Sequence, residues 1–350
     1  MNKQGIWVGG LEVETTNHHV ALTSSEIGNL WTQYMNDSLA SCILRHSVEH
    51  ANDEELKQIL HHAIKLSESH LEKIKTFLTK EKFPIPKGFT IEDDVKISAP
   101  PLFTDTFLLV YMHVMTLHGL TGYAAAIGTS CRKDQITYFI ECNKETMNLY
   151  DKIIEVMLNK GIYNRTPHLN PPKEIDFVKK QSYLAGWFGK VRPLSAMEIS
   201  GLAFNMQKTA AKIVLELGFG QVCQSKELQK YFKRGKEVCK KQFGIFSAIL
   251  TNEELRSPTS WINEVTDTTI SPFSDKLMLF HMVNLLTSSI WFLGGGFAIS
   301  QRRDLALDYL ELITEAGLLA EDGAQLLINN GWLEQPPLAT NRHQLAKQKS

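Results

Sequence analysis

The sequence predicts an all-α chain built as two tandem four-helix bundles related by internal duplication. Three observations predict this. The stretch LTSSEIGNLW from Leu22 returns as LSAMEISGLA from Leu194, 172 residues later. Cap residues, glycines and prolines then recur in the same order in both halves. Between those marks, apolar residues repeat with the period of a helix.

The correspondence runs almost without gaps. EELKQIL from Glu54 pairs with KELQKYF from Lys226, FLTK near Phe77 with ILTN near Ile249, and Pro86 with Pro258. After a two-residue deletion, LFTDTFLL pairs with PFSDKLML and SCRKD with SQRRD. This matches Asp105 to Asp275, Arg132 to Arg302, Asp134 to Asp304, Gly161 to Gly331 and Pro167 to Pro337. A shared helical architecture would explain common periodicity, but not common punctuation in order. The expected division is an N-terminal extension 1–21, a first bundle 22–163, a linker 164–193, a second bundle 194–335 and a flexible tail 336–350. The halves should superimpose, each closing its own apolar interior.

Each half reads as four long helices. The first opens on a capping box, Thr23-Ser24-Ser25-Glu26 or Ser195-Ala196-Met197-Glu198, in which hydroxyl and carboxylate satisfy each other's backbone N–H groups. Leu22 with Ile27, and Leu194 with Ile199, have the spacing of a hydrophobic staple. The second helix is capped by Asp53 or Ser225 and runs to about Lys80 or Asn252, before prolines that cannot continue it. Leu56, Leu60, Ala63, Ile74 and Phe77 form its apolar stripe. Connections of roughly 81–103 and 253–273 follow. The third helix starts near Thr104-Asp105 or Ser274-Asp275. The fourth starts near Arg132 or Arg302 and ends at Gly161 or Gly331, residues suited to a left-handed C-terminal cap. Short links flank a long one between second and third helices, which is the one-crossover connectivity of ferritin-like bundles.

The third helices, FLLVYMHVMTLHGLTGYAAAIG and LMLFHMVNLLTSSIWFLGGGFAIS, are apolar on nearly every side. Each is long enough to span a bilayer, or is the most buried helix of its bundle. His113, His118, His281 and Asn284 interrupt the runs and favour burial, because ionisable groups inside a membrane are expensive.

YLAGWFGKVRPLSAMEI (Tyr183–Ile199), EVTDTTISPFSDKLMLFH (Glu264–His281), SQRRDLALDY (Ser300–Tyr309) and EDGAQLLINNGWLEQPP (Glu321–Pro337) resemble a tandem-repeat family of Bacillus-type bacteria, domain of unknown function 3231. The resemblance is strongest in the second half and, through the repeat, extends over nearly the whole chain. It implies ferritin-like bundles and no established activity. Spore-coat proteins with such bundles are an analogy of fold alone.

A carboxylate-bridged di-iron centre in such a bundle needs a Glu from each of two helices and a Glu-x-x-His from each of the others. No Glu-x-x-His occurs in the sequence. A non-standard site in the first bundle is the remaining option. Asp37, His70, His118 and Glu145 should lie at similar depth on the four helices, and an inward Asp and His could bind iron, manganese or zinc. The plainer alternative is a buried Asp–His hydrogen bond. The second-half counterparts Thr209, Gln242 and Ser288 are poor ligands and suggest a buried polar layer. His46, His50, His61 and His62 form a second cluster, either a surface zinc site or solvated side chains. Gly294-Gly295-Gly296 reads as close packing against a bulky neighbour such as Trp291 or Trp187. Arg132 with Asp134, and Arg302 with Asp304, read as a repeated structural ion pair at a helix start. Trp187 and Phe188, in the linker, should dock between the bundles or present a partner surface.

Composition narrows the function. Basic and acidic residues number 37 and 38, for a net charge of −1, so there is no excess of positive charge for nucleic acid and no polybasic membrane anchor. Five cysteines without a CxxC, and no apolar leader, fit a reducing cytoplasm. The expectation is a non-enzymatic structural or interaction protein, associated with sporulation or stress. It should need no cofactor, and should work through a protein partner or self-association rather than nucleic acid or membrane. The alternative is a metal-binding or redox protein using the first bundle.

Overall fold

The computed structural model describes residues 5–8, 11–14, 20–187 and 191–347. The first half comprises α1 (Ser24–His50), α2 (Glu54–Lys80), a one-turn α3 (Ile91–Asp94) in the crossover, α4 (Asp105–Thr129) and α5 (Lys133–Asn159). The second comprises α6 (Ala196–Val222), α7 (Lys226–Asn252), α8 (Asp275–Ile299) and α9 (Arg303–Asn329). In each, helices joined by short links pack as hairpins, α1 on α2, α4 on α5, α6 on α7 and α8 on α9.

Both capping boxes form. Thr23 and Ser195 accept from the N–H of Glu26 and Glu198, whose carboxylates accept from the cap N–H in return. The same glutamates reach further. Glu26 Oε1 accepts from the Cys131 and Arg132 N–H groups at 3.0 and 2.8 Å, and Glu198 Oε1 from those of Gln301 and Arg302 at 3.0 Å each. One buried carboxylate therefore ties the start of the first helix to the start of the fourth. Arg132 and Arg302 pair with Asp134 and Asp304, as expected, and also with Glu81 and Glu253 at the end of the second helix. Gly161 and Gly331 take the left-handed conformation. At the ends of α2 and α7 the same conformation falls on non-glycine residues, Lys82 and Glu254.

The expectation that each half closes its own interior is corrected. A single apolar core runs through both, joining Leu39, Leu108 and Met112 to Leu215, Phe219 and Met282. One smaller cluster lies at the far end of each bundle. The crossovers make the join. Val95 bridges Phe273 and Phe103 bridges Val265, both antiparallel. The Lys96 N–H donates to Pro272 O (2.8 Å), and that of Thr266 to Leu102 O (3.0 Å). Ser274 Oγ bonds Asp94, and Thr104 Oγ1 bonds Glu264. Positions 94, 95, 96, 103 and 104 are the repeat equivalents of 264, 265, 266, 273 and 274. Each of these crossover contacts is thus made twice with the halves exchanged, as in an isologous twofold interface. Tyr111 and His281, themselves equivalent, meet across this axis with Tyr111 Oη 3.3 Å from His281 Nε2.

Four further features add detail to the sequence reading. An N-terminal hairpin forms, β1 (Gly5–Val8) against β2 (Leu11–Glu14). Its signal was two short apolar-alternating runs flanking Gly9-Gly10. The expected flexible tail contains a short exposed helix, α10 (Arg342–Lys347). Trp187 is 52 % exposed, and Phe188 lies outside the described residues. Gly296 is held against Tyr309 rather than a tryptophan, for a Cβ there would lie 2.6 Å from its ring. Among the described residues one helix, Asp275–Ile299, is long and apolar enough to cross a membrane, and 56 % of its apolar window is buried against protein.

Candidate binding cavity of the first bundle

The halves differ in how closely their first and third helices approach. In the second, α6 and α8 meet at Gly201 and Gly296, where a Cβ on Gly201 would lie 3.5 Å from the Gly296 Cα. The equivalent first-half residues are Asn29 and Ala126. There α1 and α4 stand apart over a partly open cavity of about 450 Å³, a size ordinary for small-molecule sites. Leu39, Ala40, Leu44, Met112, Met115 and Leu149 supply apolar wall. Asn284, Leu285 and Ser288 of α8 close the side facing the second half, where Asn284 Nδ2 donates to Asn36 Oδ1 at 2.7 Å.

A polar cluster sits in one wall. Asp37 and His70 are 8 % and 4 % exposed, with His70 Nδ1 3.2 Å from Asp37 Oδ2. His70 Nε2 lies 3.6 Å from the carboxylate of Glu145, which is half exposed. Tyr123 Oη stands 3.5 Å from Nδ1. Gln33 donates toward Tyr123 and accepts from Tyr138 at 3.0 Å. Burial disfavours the charged ring, but the Asp37 carboxylate and the Cys142 side chain overcome it and push His70 up to about 10. This direction favours the protonated ring, with Nδ1 facing Asp37.

Of the four predicted ligands, Asp37, His70 and Glu145 meet at one ring, while His118 lines the same cavity without contacting them. The two carboxylates address opposite nitrogens of one ring. His70 Nε2 has no hydrogen-bond partner, and among the described residues no three His, Cys, Asp or Glu side chains form a ready metal-ligand group. His118 stacks on Phe292 of α8, centroids 5.0 Å apart and planes 18° apart. Burial, then Lys208, holds it well below its ordinary value. In the second histidine cluster, His46 and His50 turn to the crossover, with Nε2 atoms 3.0 Å from Ala99 O and 2.8 Å from Ile97 O, while His61 is exposed.

Sequence reasoning missed the buried charges of α6. Lys208, Lys212 and Glu216 are 3 %, 3 % and 1 % exposed. Their i, i+4, i+8 spacing was the available signal, but it reads equally as a solvated stripe. By the repeat they stand where the first half has Asn36, Ala40 and Leu44, three residues of the cavity wall. Phe292 likewise replaces Gly122. The longer side chains fill in the second half the space left hollow in the first.

The profile of a protein family of unknown function, DUF3231, matches residues 12–175 and again 182–345. The chain belongs to the DUF3231 family. The two matched segments coincide with the two bundles, so each bundle is one family unit. No curated protein matches. Among solved structures, this DUF3231 chain resembles a protein provisionally assigned to the spore coat of Bacillus halodurans C-125. Identity is 20 %, coverage is 45 % of this chain and 98 % of that one, and the TM-score is 0.37. A likeness at that level carries no argument about role.

Proposed function

We propose that this DUF3231 chain is a non-enzymatic binding protein whose first bundle takes up a small, largely apolar organic molecule. Its second bundle is a closed structural counterpart. The observation that carries the reading is the cavity of about 450 Å³ between α1 and α4, set against the closed α6–α8 seam at Gly201 and Gly296. Apolar walls supply most of the binding energy, roughly 25 cal/mol per Å² buried, and the His70–Asp37 pair orients one polar group of the ligand. The one-crossover connectivity supports reading each half as a ferritin-like bundle, and five unpaired cysteines suit a reducing compartment.

The test transplants the plug. Gly122 has open space where a side chain would start, so Gly122→Phe places in the first half the ring found at 292 in the second. The fluorescent apolar probe anilinonaphthalene sulfonate should bind wild-type protein at about one per chain, and Gly122→Phe should weaken this at least tenfold with helix content unchanged. Unchanged probe binding in that variant contradicts the reading. Metal analysis of purified protein separates it from the alternative: a stoichiometric metal lost in Asp37→Ala would favour a metal-binding first bundle.

A further inference from the structure

We propose that the small cavity enclosed by α4, α6 and α8 is an anion site, taking one monovalent anion of about chloride size against the ammonium groups of Lys208 and Lys212. It does not depend on what fills the first-half cavity. The space is about 10 Å³, on the scale of one water-sized occupant. Its walls include both lysines, His118 and the apolar side chains of Val114, Met115 and Leu285.

Lys208 Nζ is buried and has no hydrogen-bond acceptor. The rings of Phe292 and Phe204 lie 3.9 and 4.5 Å from it. They stabilise the cation, but leave its N–H donors unmet. An ammonium buried without a counter-charge is strongly unfavourable, and Lys212 adds a second positive group one turn along. The nearest acid on the helix, Glu216, does not answer them. Both its oxygens are buried without a hydrogen-bond partner, so it bonds neither lysine, and burial raises its carboxyl. A small buried pocket lined by two lysine side chains, with no carboxylate hydrogen-bonded to Lys208, is matched by a mobile anion from solution.

The assignment carries a pH dependence. Burial, and secondarily Lys212, pull Lys208 down to about 7. The other titratable groups facing it are His113 and His118 of α4 and His281 of α8. Burial keeps them neutral, with His113 near 4 and His281 near 3. Anion binding should therefore take up a proton at Lys208, and affinity should fall about tenfold per pH unit well above 7.

The experiment is a melting-temperature titration of the full chain with sodium bromide at constant ionic strength, balanced by gluconate, which is too large for the cavity. A saturable rise with bromide, absent in Lys208→Met, is expected. Bromide-soaked crystals of wild-type protein should show an anomalous peak in contact with Lys208 Nζ, which decides the matter even if the variant fails to fold. A bromide response equal to that of gluconate, or a wild-type soak with no anomalous peak there, overturns the proposal and leaves the pocket to water.

Discussion

Glu26 and Glu198 show how much a single side chain carries here. Each is fully buried and closes a capping box with one oxygen while binding two N–H groups at the start of the fourth helix with the other. Burial raises these carboxyls, but the backbone donors, joined by Arg192 at Glu198, outweigh it and hold both near 2, against an ordinary 4.5. The folded value is depressed, so their stabilisation is complete above pH 4.5 and is lost as pH falls toward 2. Glu26→Gln and Glu198→Gln should each cost about 2 kcal/mol in urea denaturation at pH 7, the scale of hydrogen bonds to a charged group. That penalty should shrink at pH 3. The capping half of this role was legible from S/T-x-x-E. The link to residues 131–132 and 301–302 was not, because a local motif carries no information about which distant backbone comes to rest against it. Asp37 and His70 were legible as an inward pair for the reason that a helical stripe fixes facing. His118 was misplaced because depth along a bundle does not fix rotation about the helix axis, and its ring turns to Phe292.

At the scale of elements, the repeated punctuation anticipated the helix ends closely. The observed starts follow Thr23, Asp53, Thr104, Ser195, Ser225 and Ser274, all of which cap through their side chains. The left-handed residues closing α2 and α7 had no such signal, since Lys82 and Glu254 occupy positions where glycine is usual. Their conformation costs an L-residue about 1–2 kcal/mol. Lys82→Gly and Glu254→Gly should therefore stabilise the chain, by about 0.5–1 kcal/mol each after the added unfolded-state entropy of glycine is deducted. Denaturant midpoints of the two variants check this, and lowered midpoints would show that the side chains outweigh the strain. The pairing of the two crossovers was hidden for a different reason. Val95 with Phe273 and Phe103 with Val265 are single bridges between segments about 170 residues apart, with no strand-length pattern to announce them.

Across the whole molecule, duplication produced an internal version of a twofold dimer. Equivalent positions meet each other at Tyr111 and His281, the crossovers exchange partners, and one apolar core spans the join. The interiors then diverged: the first half is hollow where Asn36, Ala40 and Gly122 line it, and the second is filled by Lys208, Lys212 and Phe292. This is why the sequence could be divided into two bundles while wrongly implying two independent interiors. A buried face reads the same whether its partner belongs to its own repeat or to the other.

The shared core is the claim on which the rest depends, and calorimetry tests it most directly. At about 0.7 kcal/mol per residue near 60 °C, a 350-residue chain unfolding as one unit should absorb roughly 240 kcal/mol. It should do so in a single transition whose van't Hoff enthalpy equals the calorimetric value. Two separable transitions, each carrying about half that heat, would contradict it.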